Sequence, residues 1–105
     1  MEKVMKKVLE FRDERGWGQY HNEKDLAISI SLEANELLEN FQWKDSEEAA
    51  RESRQNIKEE MADVFIYLLQ LADKLDIDLE EEALRKLKKN ALKYPAPQNH
   101  NDAGL

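Results

Sequence analysis

The chain contains no cysteine, only two histidines, three glycines and two prolines among its 105 residues. The missing cysteine excludes disulfides, thiolate zinc sites and cysteine nucleophiles, and agrees with a reducing, cytoplasmic setting. Scarce glycine and proline leave few turn-makers, which disfavours a sheet of many reversals. No stretch approaches the roughly 20 apolar residues that span a bilayer. The amphipathic start, MEKVMKKVLEFRDERG, lacks the apolar block and cleavage site of a signal peptide, so a soluble protein without a membrane partner is expected. Excess positive charge is absent too. A formal net charge of −7 repels nucleic acid polymers and phosphates at long range, so an anionic ligand needs a local basic patch or bound cations. No glycine-rich phosphate loop, strand alternation or internal repeat is present.

What remains is helical pattern. Val4, Val8 and Phe11 repeat at helical spacing from about residue 2 to 15, and Gly16 is placed to stop that helix. GWGQYHN follows as a loop, and Asn22 can cap a second helix that runs to about Asn40, with Glu23 and Asp25 in its first turn. Residues 44–54, KDSEEAARESR, show no long apolar stripe and read as a mobile connection with one helical turn. A third helix from about Gln55 to Leu75 carries Ile57, Met61, Val64, Leu68, Ala72 and Leu75, and its VFIYLL segment marks it as central. Asp78 can cap a fourth helix, with Glu81 at capping-box distance and a stripe of Leu79, Ala83, Leu87 and Ala91 before Pro95 and Pro97. The fold class is all-α. One domain over residues 1–96 and a loosely ordered tail over 97–105 are expected.

The chemistry resides in misplaced acids. On the second helix Leu26, Ile30, Leu37 and Phe41 define an apolar arc, and Glu33 and Glu36 fall at its edge with Leu32 and Ile28 beyond them. On the third helix Glu60 and Asp63 repeat the device beside Ile57, Val64 and Leu68, with Tyr67 one turn further. Acids three apart project from one side of a helix. Two such pairs brought together in a water-poor interface would repel one another and rise in pKa unless cations lay between them. An oxygen-only ligand set, with His21 and His100 as the chain's histidines, favours Mg²⁺ or Mn²⁺ over zinc. Magnesium keeps coordination positions for water or phosphate oxygens, so a polyphosphate is the natural complement. Against this stands the plain alternative of solvated acid pairs, common in a chain with 23 acidic residues. A di-iron site is disfavoured because neither histidine follows a glutamate by three.

The fourth helix places Asn90 in its apolar arc, with Lys86 and Lys93 flanking it. An amide can read a base edge and lysines can meet phosphates; local capping and favourable charge at the helix end explain them equally well. Trp17, Trp43 and Tyr94 lie at helix ends or in loops, where aromatics either stack on a base or lid the core. His21, in the first loop, is equally open to either use.

With these residues assembled, the chain resembles the MazG-like, all-α nucleoside triphosphate pyrophosphohydrolases over about residues 5–96, close to the dCTP pyrophosphatase branch. The family motif, E-E-x-x-E followed by E-x-x-D, is matched by LEANE and EMAD, which supply Glu33, Glu36, Glu60 and Asp63. Leu32 stands in place of the first glutamate, as is usual in that branch. RGWGQYHN, NFQWK, DVFIYLLQLADKL and KLKKNALKYPA also match. The resemblance implies a four-helix bundle completed by homo-oligomerisation, as a dimer or a tetramer of two dimers. It implies that the four acids hold Mg²⁺, that Trp17 and Trp43 enclose the base, and that Tyr67, Lys86, Asn90 and Tyr94 contact the nucleotide, with His21 and Lys93 as further binding candidates. The expected reaction is cleavage of a nucleoside triphosphate between the α and β phosphates, with dCTP or a modified nucleotide as preferred substrate. The competing expectation is a non-catalytic helical module that binds nucleotides or dimerises.

Overall fold

The computed structural model describes residues 1–97, and each regular element among them is helical. The expected tail, QNHNDAGL, lies outside the described residues. Helix α1 spans Glu2–Glu14 and ends where Gly16 takes φ +65°, a left-handed conformation that glycine adopts without the side-chain clash other residues meet. A 3₁₀ turn, Trp17–Gln19, leads to α2, Glu23–Glu39, whose first turn is capped by the Asn22 side-chain oxygen accepting from Asp25 N at 2.8 Å. Helix α4 covers Arg54–Lys74 and α5 covers Leu79–Lys93, the latter capped by Asp78 accepting from Glu81 N at 3.0 Å.

The segment expected as a connection with one turn instead forms α3, Ser46–Glu52. Asp45 caps it by accepting from Glu48 N at 2.8 Å, and Ala49 is wholly buried against the body. One small buried residue in seven leaves no apolar stripe, and that is why periodicity overlooked the helix.

Helix α4 is central, as its all-round apolar middle implied, because α1, α2 and α3 all pack on it. The tightly buried residues Leu26 and Leu69 come from α2 and α4, with Val8 of α1 and Ala72 beside them in the core. Truncating either leucine to alanine removes about 2–5 kcal/mol. Of the stripe expected on α4, Ala72 is buried and Ile57, Val64 and Leu68 are half-buried, whereas Met61 and Leu75 are exposed and Leu69 and Gln70, outside the stripe, are buried.

Helices α2 and α4 run antiparallel. Asn56 Nδ2 donates to Asn40 Oδ1 at 2.7 Å, and Glu60 stands with Glu36 and Glu33 one turn further along. Asp63, one turn beyond Glu60, is near enough for its charge to act on Glu33. Helix α1 is tied across the far end, where Arg12 Nη1 bonds Asp73 Oδ2 at 2.9 Å and Lys74 Nζ donates to Gly18 O at 2.8 Å.

Helix α5 stands apart. None of its residues is buried, and Leu84, Leu87 and Leu92 are 59%, 63% and 85% exposed. The radius of gyration is 17.3 Å, whereas a compact chain of this size has about 13 Å. A single chain is therefore all-α, as expected, with its fourth long helix outside the packed body. No described helix is long and apolar enough to cross a membrane.

Candidate metal and nucleotide site

The antiparallel register brings two acid pairs face to face. One carboxylate oxygen from each of Glu33, Glu36 and Glu60 lies within 4.8 Å of the others. Asp63, on the exposed side of α4, is not part of that closest trio, but its charge is felt by both Glu33 and Glu60. Glu33 is pushed up to about 7, first by withdrawal from water and then by Glu36, with Glu60 and Asp63 adding to it. Glu60 is raised as well, again first by withdrawal from water and next by Glu36. No lysine or arginine forms an ion pair with any of these four acids among the described residues.

Two further atoms make this more than a solvated acid patch. Glu33 Oε2 and Glu60 Oε2 are both buried and without a hydrogen-bond partner. A buried carboxylate oxygen with no donor is costly, and a hard divalent cation is the ligand that would satisfy several at once. The oxygen-only donor set fits Mg²⁺ or Mn²⁺ and offers nothing to a soft metal.

The predicted binding residues divide into two groups. Trp17 and His21 sit at the α1–α2 corner: the Trp17 ring meets Phe11 edge-on at 5.6 Å and His21 at 5.9 Å, and His21 Nδ1 is buried without a partner. Tyr67 is half-buried on α4, one turn beyond Asp63. Trp43 projects wholly into solvent from the α2–α3 loop, 99% exposed and at φ +64°. Lys86, Asn90, Lys93 and Tyr94 all lie on or at the end of α5, where Lys93 Nζ sits 5.3 Å from the centre of the Tyr94 ring. Because α5 stands off the body, one chain does not bring these four to its own acids. Sequence reasoning overlooked Gln70, concealed in the run YLLQLA, although a lone amide in an otherwise apolar stretch was the available signal.

Residues 28–103 match the MazG-like family, which includes both acid pairs and the whole of α4 and α5. The chain belongs to the MazG-like family. It is 36% identical to human dCTP pyrophosphatase 1 over 101 residues, and 33% identical to the bovine protein over 108. The bovine match takes in 98% of this chain and 64% of the bovine protein, so the chain spans about two thirds of the length of these relatives; for the human protein the shares are 91% and 59%. A crystal structure of a pyrophosphatase from Archaeoglobus fulgidus superposes with a TM-score of 0.86 at 47% identity, covering 90% of this chain and 92% of that one. The family fold and the acid cluster therefore coincide in one chain.

Proposed function

We propose that the protein is a Mg²⁺-dependent nucleoside triphosphate pyrophosphohydrolase. Water adds to the α phosphorus, the α–β anhydride bond breaks, and a nucleoside monophosphate and pyrophosphate leave. The observation that carries this reading is the pair of partnerless buried oxygens, Glu33 Oε2 and Glu60 Oε2, in the converging trio of Glu33, Glu36 and Glu60. The names of the relatives supply the reaction class, and dCTP or a modified nucleotide is the proposed preference, in keeping with housecleaning of the nucleotide pool.

Glu33, Glu36, Glu60 and Asp63 would hold the ion, with Mn²⁺ as an alternative to Mg²⁺. When bound, the divalent ion neutralises triphosphate charge and favours the negative charge that grows on the leaving pyrophosphate. The chain's own residues do the rest. Through that ion the acids would place the polyphosphate beside α2 and α4, which is how a protein of net charge −7 would accept a polyanion. A glutamate outside the innermost set, such as Glu59, takes the proton of the attacking water, since a ligating carboxylate is a poor base. Trp17 and His21 would close on the base and Tyr67 would support the sugar, whereas Trp43, beyond the other end of α2, would serve as a lid only on a nucleotide bound with another copy of the chain.

Helix α5 has a part only if chains associate. Its exposed leucines need cover, and Lys86, Asn90, Lys93 and Tyr94 would then serve a nucleotide held by another copy's acids, in a homodimer or homotetramer. The test is incubation with a panel of canonical and modified nucleoside triphosphates, with and without Mg²⁺, scoring pyrophosphate apart from orthophosphate. Metal-dependent pyrophosphate release is expected. No release at concentrations that preserve oligomers would leave a nucleotide-binding or dimerisation module.

A further inference from the structure

Helix α5 buries none of its residues, yet its sequence carries the seam of a coiled coil. Ile77, Glu80, Leu84, Leu87, Ala91 and Tyr94 are spaced alternately by three and four, which aligns them along one side of the helix and its entering turn. All six are exposed, Leu84, Leu87 and Tyr94 by 59%, 63% and 67%. The start of the seam forms one wall of an open groove of about 320 Å³, lined by Met1, Phe65, Leu79, Glu80, Ala83 and Leu84. Beyond that groove the seam continues through Leu87 and Ala91 with no cover from its own chain.

The charges beside the seam select its cover. Helix α5 begins acidic, with Glu80, Glu81 and Glu82, and is basic from Arg85 onward. Two copies laid antiparallel bring each acidic start onto the other's basic half. In that orientation Leu84 meets Leu87 of the second copy, Glu80 meets Ala91 and Ile77 meets Tyr94, and each contact recurs by two-fold symmetry. Glu81 then opposes Lys88 of the second copy on the flank of the seam, again twice. A parallel pair would set Glu80 against Glu80 and bring no opposite charges together across the seam. Lys88 forms no ion pair in its own chain among the described residues, and Glu81 meets Arg85 at 3.2 Å between side chains 63% and 62% exposed. The antiparallel pair also lays the Leu87 to Ala91 turn of the second copy over the groove, because Leu84 and Glu80 line it.

We propose that the exposed seam of α5 docks a second copy of this chain by antiparallel α5 to α5 pairing, with Leu84 on Leu87 and Glu81 on Lys88. This rests on the association proposed above and supplies its surface and register; it does not depend on hydrolysis. Lys86 and Lys93 lie about 160° and 180° around the helix from Leu84, so pairing leaves both open to a nucleotide.

The experiment is sedimentation equilibrium at low ionic strength, without nucleotide, on wild type, Glu81→Lys, Lys88→Glu, the double variant, and an equimolar mixture of the two single variants. Wild type should associate. Each single reversal faces like charges across the seam at both symmetric contacts and should weaken association by about tenfold. The double variant should recover toward wild type, and the mixture should associate more tightly than either single variant, because each reversed residue then meets its opposite. Residues 81 and 88 stand about 10 Å apart along one helix, too far for recovery to arise within a chain. Far-UV circular dichroism should match wild type throughout, since both positions are exposed. A monomeric wild type, association that ignores the single reversals, or a double variant and mixture without recovery overturns the pairing. Failure of pyrophosphate release leaves the pairing standing, and a monomer that hydrolyses overturns the pairing and not the reaction.

Discussion

Asn56 donates its side-chain amide to the side-chain oxygen of Asn40 at 2.7 Å, and Asn40 in turn donates to the carbonyls of Glu36 and Leu37 at 3.3 and 3.2 Å. One amide thus ties the end of α2 and sets the register that puts Glu36 against Glu60. Asn56→Ala should cost about 1 kcal/mol, read as a lower thermal midpoint, and should weaken Mg²⁺ binding in titration calorimetry. A change in stability alone would mean that the clasp does not set the acid geometry.

Neutralising the acids separates their chemistry from the fold. Glu36→Gln and Asp63→Asn should each lower pyrophosphate release by about 100-fold or more, with far-UV circular dichroism unchanged. Turnover that survives both changes would remove these acids from the metal site.

Without metal, the cluster should work against folding as pH rises. Glu33 is held at about 7 in the folded chain, above its ordinary 4.5, so the folded state keeps a proton that the unfolded state has already lost. The stability this supplies is fully present below about 4.5 and is lost as pH rises through about 7. In chelator, the thermal midpoint should therefore fall between pH 5 and 8, and Glu33→Gln should flatten that fall. Added Mg²⁺ should restore stability at pH 8 by binding the ionised cluster.

The exposed face of α5 predicts association. Leu84→Lys with Leu87→Lys should shift the protein to monomer in analytical ultracentrifugation, abolish most activity and leave α1–α4 folded, because neither leucine contributes to the core of one chain. An active monomer would show that the α5 residues serve no site across an interface.

Trp43 occupies a left-handed backbone conformation while fully exposed, an arrangement that costs a bulky side chain about 1–2 kcal/mol. Trp43→Gly should leave stability within about 1 kcal/mol of wild type and raise KM for a nucleotide several-fold. An unaltered KM would remove Trp43 from the base pocket.

Much of this was legible in the sequence. Asn22, Asp78 and Gly16 mark their helix ends because each supplies a local bond or conformation, and local features depend on nothing distant. The acids were legible because Glu33 and Glu60 border apolar arcs on helices long enough to show a period. Helix α3 was not, since Ala49 alone makes no pattern, although Asp45 three residues before Glu48 is a capping signature. The stripe of α5 announced burial without saying by what; periodicity reports an apolar face but not whose surface covers it. Gln70 escaped because a single amide in an apolar run is visible only once its missing partner is.

The Arg12–Asp73 and Lys74–Gly18 bonds join segments 61 and 56 residues apart. Helices α2, α3 and α4 close over shorter loops and can assemble before that distant contact forms. On a ribosome, where synthesis proceeds from the N-terminus, α1 is made long before its docking partner. Until Asp73 and Lys74 emerge, the Val8 face of α1 has nothing of its own to lie against, and the corner bearing Trp17 and His21 is the last part of the cleft to take shape.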